Sequence, residues 1–238
     1  MKEARRIFDF FLSAFQQNYT QVRLLKQSER SQVTLLRHNQ TGTRYICRTF
    51  QGSAEVYHRL LHIDCPHLPQ ILEVAEKDGN VMVLEEYVQG DTLAFLLEAG
   101  PLSPSRARHI LRQLCAALWV LHCLGAVHRD VKPENVILLG DQAVLIDFDA
   151  SRLFKPYNTE DTQVLGTIGY AAPEQYGLSQ TDSRADIYAL GILLNILLTG
   201  QHPSQKLASG RLGRIVQRCT MTNPRKRYQN VRALMESL

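Results

Sequence analysis

The sequence predicts an α+β fold, with a small antiparallel sheet and one main helix followed by a larger, mostly helical part. Three observations predict it. Short runs of strand-forming residues separated by polar turns fill residues 20–50. Helix start and stop signals dominate from Leu93 onward. A dense polar cluster, His128-Arg129-Asp130-Val131-Lys132-Pro133-Glu134-Asn135, is followed closely by Ile146-Asp147-Phe148-Asp149.

In chain order, residues 1–18 read as a helix. Ile7, Phe8, Phe11, Leu12 and Phe15 share one face, which packs on the body of the domain or docks a partner or second copy. Val22 to Leu25, Gln32 to Arg37 and Arg44 to Phe50 read as three strands, the last two joined by the turn Asn39-Gln40-Thr41-Gly42. Ser53 to His62 reads as a helix with Ser53 as N-cap. Val81 to Leu84 is a buried strand, residues 85–90 are a hinge, and Leu93 opens a helix. Ser103-Pro104 and Gly125 bracket a long helix over 103–124. Ala143 to Ile146 is a short strand that delivers Asp147, and helices follow over 181–200, 207–219 and from about Asn230. The expected organisation is a helical extension over 1–19, a first lobe over 20–85 and a second over 86–238.

Composition narrows the function classes. The chain has 238 residues, 45% of them hydrophobic, enough for one large domain or two apposed lobes. Net charge is +4 and the basic residues form no long run, so no nucleic-acid partner is expected. Five scattered cysteines without a CxxC pair suggest thiols in a reducing cytoplasm and no zinc site. Met1 to Arg6 runs into Phe-rich sequence with Asp9, unlike a secretory leader. The longest apolar run, Ile187 to Leu198, is too short to span a bilayer.

The polar cluster supplies a carboxylate, an ammonium, an amide and, twelve residues beyond Asn135, a second carboxylate. Such a set suits holding Mg²⁺ and a nucleotide phosphate against a hydroxyl nucleophile. HRDxKPEN followed by DF resembles the catalytic loop and metal motif of protein kinases, and the phrases around Gly169-Tyr170-Ala171-Ala172-Pro173-Glu174 look most like short bacterial Ser/Thr kinases. The resemblance covers about residues 20–238 and implies a bilobal protein-kinase-like fold, ATP with Mg²⁺ or Mn²⁺, and a protein substrate with a Ser/Thr acceptor. It implies Asp130 as base, Lys132 as phosphoryl clamp, and Asn135 and Asp147 as metal ligands. Thr167 would help define the acceptor site, with Thr159 and Thr162 as phosphorylation sites that pair with Arg129. Glu174 would pair with Arg227, and Asp186 would brace the catalytic loop. Arg48, Glu55, Val33, Ile46, Glu86, Val88 and Ile137 would form the nucleotide site.

The amino-terminal part departs from the family pattern. Lys26, Ser28 and Ser31 stand where a phosphate-binding loop carries glycines. Arg48 replaces the strand lysine, Ile46 replaces the alanine over the adenine, and Glu85 takes an apolar position behind it. Glu55 is the carboxylate expected to hold Arg48, one residue out of register. Asp149 replaces the glycine of DFG, which suggests a stiffened switch. The alternatives to an active Ser/Thr kinase are a pseudokinase scaffold with weak or no nucleotide binding, and a small-molecule phosphotransferase.

Overall fold

The computed structural model describes residues 17–29, 31–154, 167, 169–176 and 181–238. Residues 1–16 of the expected first helix, together with Thr159 and Thr162, lie outside the described residues. The chain divides into two compact units: the described residues up to Asp64 with Pro69–Val88, and Cys65–Leu68 with Gln89–Leu238.

The first unit is a five-stranded antiparallel sheet in the order β1-β2-β3-β5-β4. Its strands are β1 (Tyr19–Gln27), β2 (Ser31–His38), β3 (Arg44–Gln51), β4 (Ile71–Lys77) and β5 (Asn80–Glu86). The sheet is buried on both faces at its centre. Leu36, Cys47, Met82 and Leu84 pack together on one side, and Val33, Leu35 and Ile46 on the other. That alternation follows from the period-2 geometry of strands. β1 and β4 are the edges, and β1 is exposed along nearly its whole length. β4 was not foreseen: Glu73, Glu76 and Lys77 dilute its strand propensity, and its pairing with β5 outweighs that.

The helix α1 (Glu55–Leu60) buries Val56, Tyr57 and Leu60. Ser53 is not its N-cap. Ala54 occupies that position without a side-chain cap, and Ser53 Oγ accepts from Glu55 N at 3.3 Å.

The second unit begins with β6 (Asp91–Thr92) and α2 (Leu93–Leu97). The long helix α3 (Pro104–Cys123) starts as its sequence dictates: Ser103 Oγ accepts from Arg106 N, and Pro104 fills the first turn. Gly125, at φ 74°, adopts the left-handed backbone just beyond its end. There follow β7 (Ala126–Val127), a 3-10 turn over Pro133–Asn135, β8 (Val136–Leu139), β9 (Gln142–Leu145) and β10 (Arg152–Leu153). A second 3-10 turn covers Pro173–Tyr176.

The remaining helices are α4 (Arg184–Thr199), α5 (Gly210–Cys219) and α6 (Val231–Ser237). α4 begins at Arg184, later than residue 181; its N-cap Ser183 makes no side-chain capping bond, and Asp182 Oδ1, one residue earlier, accepts from Arg184 N at 2.8 Å. α5 begins at Gly210 because buried Asn195 holds the preceding loop: its Nδ2 donates to the carbonyls of Gln201 and Lys206, and its Oδ1 accepts from Ala208 N. α3 and α4 pack together and bury Leu111, Leu114, Leu118, Leu190, Leu193 and Leu194. Each buried leucine contributes about 1.5–3 kcal/mol relative to exposure. This helical core carries the polar cluster.

Candidate active site

The loop between β7 and the 3-10 turn is pinned by one buried carboxylate. Asp186, in the first turn of α4, is fully buried. Its Oδ1 accepts from Arg129 N at 2.8 Å, and its Oδ2 accepts from His128 N at 2.9 Å and lies 2.8 Å from His122 Nε2. Burial alone would raise the Asp186 pKa. The hydrogen bond and charge of His122, with the His128 backbone N–H, outweigh it and hold the carboxyl below its ordinary value.

Arg129 needs this clamp, since its φ of 70° is left-handed, a conformation that costs a side-chain-bearing residue about 1–2 kcal/mol. Its carbonyl is also held, by Gln175 Nε2 at 2.9 Å. Both backbone polar groups of the strained residue are thus fixed by buried side chains distant in sequence.

His128 is fully buried, and burial lowers its pKa against the pull of Asp186, Asp130 and Asp147. It is therefore neutral near pH 7. Its Nδ1 accepts from Asp130 N at 3.3 Å, which assigns the proton to Nε2, 3.3 Å from the Ile146 carbonyl. Phe148 meets its ring edge-on, at 5.5 Å between centroids. Ser151 Oγ donates to the His128 carbonyl at 3.2 Å.

This frame presents Asp130. Its Oδ1 accepts from the Thr167 hydroxyl at 2.6 Å, and its Oδ2 pairs with Lys132 Nζ at 2.7 Å. Lys132 Nζ also donates to Thr167 Oγ1 at 2.6 Å. One hydroxyl is held between a carboxylate and an ammonium. Asn135 Nδ2 donates to both the carbonyl and Oδ2 of Asp130, each at 2.9 Å. Those bonds orient the amide and turn its carbonyl oxygen away from Asp130 as a ligand oxygen.

Asp147 is buried and strained, at φ 71°. The following residues fold back on it: Asp149 N donates to Asp147 Oδ1 at 3.4 Å, and Ser151 N to the Phe148 carbonyl at 2.9 Å. Asp149 itself is not among the residues with positive φ, so the missing glycine is not needed for this backbone. Ile146 N donates to the Asn135 carbonyl at 2.9 Å, tying the two motifs together.

An amide oxygen and a carboxylate on linked backbone suit Mg²⁺, which keeps several waters and takes one or two protein oxygens beside phosphates. Among the described residues no cluster of three or more His, Cys, Asp or Glu is placed to hold a metal without such help.

The family profile described as protein kinase domain matches residues 18–237. The chain belongs to the protein kinase family. A serine/threonine-protein kinase of Myxococcus xanthus, pkn2, is 35% identical over 164 residues, 64% of this chain and 20% of its own length. PknE of Mycobacterium tuberculosis is 43% identical over 143 residues, 59% of this chain and 25% of its own. PknD of the same species is 41% identical over 141 residues, 58% and 21%. The chain spans about a fifth to a quarter of the length of these relatives.

Within this kinase domain the Ala-Pro-Glu segment is anchored as expected. Arg227 Nη1 meets Glu174 Oε1 at 2.5 Å and Nη2 meets Oε2 at 2.9 Å, with both residues buried. Arg227 also donates to the carbonyls of Met221, Arg184 and Thr222, and lies over the Tyr188 ring. A buried guanidinium is tolerable only with that degree of satisfaction.

The remaining expected nucleotide-site residues fall in both units. Val33, Ile46, Arg48, Glu55, Glu86 and Val88 belong to the first, and Ile137 to the second, on β8 opposite Val144. Arg48 was expected to be held by Glu55. The structure pairs it with Glu85: Arg48 Nε donates to Glu85 Oε1 at 2.6 Å, inside the sheet. Arg48 faces Val83 in the β3–β5 register, which puts Glu85 two residues along on the same face. Glu55 is exposed in the first turn of α1, and Glu86 accepts from Gln70 N.

The glycine-free turn is closed by serine. Ser28 N donates to the Ser31 carbonyl at 2.8 Å, and Ser31 N to Ser28 Oγ at 3.1 Å. That commits two amides that a phosphate-cradling loop would present outward.

Sequence reasoning missed Glu85 as partner of Arg48, and missed His122, Ser151 and Gln175. The strand register would have found Glu85. His122 and Gln175 carry no local signal, because their roles depend on how α3, α4 and the Ala-Pro-Glu turn pack.

Proposed function

We propose that the chain is a serine/threonine protein kinase that transfers the γ-phosphoryl group of ATP to protein hydroxyls. The observation that carries this reading is the hydroxyl of Thr167 held at 2.6 Å from both Asp130 Oδ1 and Lys132 Nζ. A substrate serine or threonine entering the same place would give its proton to Asp130 as its oxygen bonds to phosphorus and the bridging bond to ADP breaks. Lys132 balances the charge on the transferred group. Asn135 and Asp147 would hold Mg²⁺ or Mn²⁺, which supplies charge neutralisation on the phosphates. Arg48 would serve as the cation for the α- and β-phosphates, fixed by Glu85. Thr159 and Thr162 would be phosphorylation sites that recruit Arg129.

No helix among the described residues is long and apolar enough to cross a membrane, and all five cysteines are free. Burial pushes the Cys47 and Cys115 thiols up to about 12, which keeps them unreactive. The free cysteines support a reducing, cytoplasmic location.

The test is transfer of labelled γ-phosphate to a generic basic protein, or to the chain itself, with Mg²⁺ or Mn²⁺. Asp130→Asn is expected to lower the rate by about 10²–10⁴-fold, the weight of a general base. Equal incorporation by wild type and Asp130→Asn would overturn the reading. If no nucleotide-dependent thermal shift accompanied that result, the pseudokinase alternative would replace it. Saturation at 100 times the dissociation constant stabilises by about 2.7 kcal/mol.

A further inference from the structure

The second unit holds a cavity of about 520 Å³ that the phosphoryl-transfer reading does not use. It is lined by the start of α3, the end of α4, the loop before α5, the first turn of α5 and Leu238 just beyond α6. His122, at the other end of α3, and Asp186, at the start of α4, brace the Asp130 loop. From Arg108 to His122 is about 21 Å, and from Asp186 to Leu198 about 18 Å, at 1.5 Å rise per residue. The cavity is therefore a separate place at the far end of the same two helices.

The wall is built rather than incidental. Asn195 is fully buried, and its amide donates to the carbonyls of Gln201 and Lys206 and accepts from Ala208 N. These bonds fix the loop 201–208 in the position that encloses the space. Leu198, Leu207 and Leu212 supply apolar surface, and Leu207 is 40% exposed. Arg108, Lys206 and Arg211 supply three cations, and no lining residue is Asp or Glu. One N–H of Arg211 is committed to the Ser237 carbonyl at 2.9 Å. α5 adds to the positive field: its N-cap Ser209 makes no side-chain capping bond, and its first turn carries no acidic residue.

The volume falls in the range of small-molecule sites, which are mostly apolar with a few convergent polar groups. Cations of one sign around apolar walls select a ligand that is apolar along its body and anionic at its head. We propose that this cavity binds an amphipathic carboxylate. Its chain lies against Leu198, Leu207 and Leu212, and its head is met by Arg108, Lys206 and Arg211. Guanidinium groups match carboxylate geometry, which favours that head group over a neutral one.

The test compares three probes with one chain length, decanoate, decanol and decylammonium, by titration calorimetry on the full chain. Decanoate is expected to bind saturably at one per chain. Decanol should bind about tenfold or more weakly, the weight of a charge-assisted hydrogen bond, and decylammonium should give no saturable binding. Arg108→Gln with Lys206→Gln should weaken decanoate about tenfold or more and leave decanol within about twofold. Leu207→Ser, at an exposed position that leaves the fold intact, should weaken decanoate and decanol together.

Equal binding of the three probes would overturn the proposal. So would decanoate affinity unchanged in the double variant, or heats that fail to saturate at millimolar probe. Phosphate transfer is not the readout, so a failure of the kinase reading leaves this result standing on its own.

Discussion

Replacing Glu85 by leucine removes the carboxylate that Arg48 Nε meets at 2.6 Å, between side chains only 5% and 3% exposed. The guanidinium then stays in the sheet interior without the carboxylate that fixes its Nε. Removing one partner of a buried pair costs about 3–5 kcal/mol. For a chain of this size 1 kcal/mol moves the melting temperature by about 2–4 °C, so Glu85→Leu should lower it by about 6–20 °C. Arg48→Met alone removes the guanidinium that Glu85 Oε1 accepts from and should cost a similar amount. Arg48→Met with Glu85→Leu removes both members of the pair together and keeps apolar volume, and such replacements are often neutral or stabilising by about 1–4 kcal/mol. The double variant should therefore melt near or above wild type. The assay is urea denaturation of the four proteins, comparing midpoints at unchanged slope. A single-variant cost below about 1 kcal/mol, or a double variant equal to the sum of the singles, would refute the assignment of Glu85 as the partner that fixes Arg48.

Three further outcomes follow from the second unit. Asp186→Asn turns an amide toward two backbone N–H groups; it should cost about 3–5 kcal/mol and lower phosphate transfer without altering any group that touches the hydroxyl. A stability change under about 1 kcal/mol in urea would contradict the clamp. Burial holds the folded-state pKa of His128 below its ordinary 6.5. The unfolded chain thus binds more protons below about 6.5, so stability is complete above that pH and falls as pH drops through it. Asp186, held below its ordinary 3.8, adds its loss only in stronger acid. Melting temperatures from pH 7.5 to 5.5 should decline, and the decline should flatten in His128→Phe. Arg227→Lys loses the paired contact with Glu174 and leaves the carbonyls of Met221, Arg184 and Thr222 short of donors. It should cost roughly 3–5 kcal/mol by thermal denaturation, although charge is kept.

What was legible in the chain depended on how far apart the interacting groups lie. Ser103, Pro104 and Gly125 bounded α3 correctly because caps act within one turn. Asp130, Lys132 and Asn135 converge because they lie within six consecutive residues that close in a 3-10 turn over Pro133–Asn135. β4 escaped because charged residues on an edge strand hide its pattern. The carboxylate for Arg48 escaped because the family pattern placed it on a helix, whereas Glu85 reaches it across a strand pair 37 residues away. The register of β3 against β5 determines that contact, and register is a property of the assembled sheet.

The same distinction separates the chemistry of the Asp130 loop from its shape. The residues that would handle a hydroxyl lie in one short stretch, but that stretch holds Arg129 at φ 70°, and Asp147 beyond it sits at φ 71°. Non-glycine residues persist in such backbone only where surroundings over-determine them. Here the surroundings are Asp186 on α4, Gln175 beside the Ala-Pro-Glu anchor and Ser151 beyond Asp147. Glu174 stands next to Gln175 and is itself held by Arg227. A chain of buried bonds therefore runs from Arg227 through the 173–176 turn to the Arg129 carbonyl. Arg227→Lys should consequently lower transfer by loosening the loop, and with Asp130 untouched the loss should grow as temperature approaches the melting point. A loss independent of temperature would place the effect of Arg227 elsewhere than in this chain of contacts.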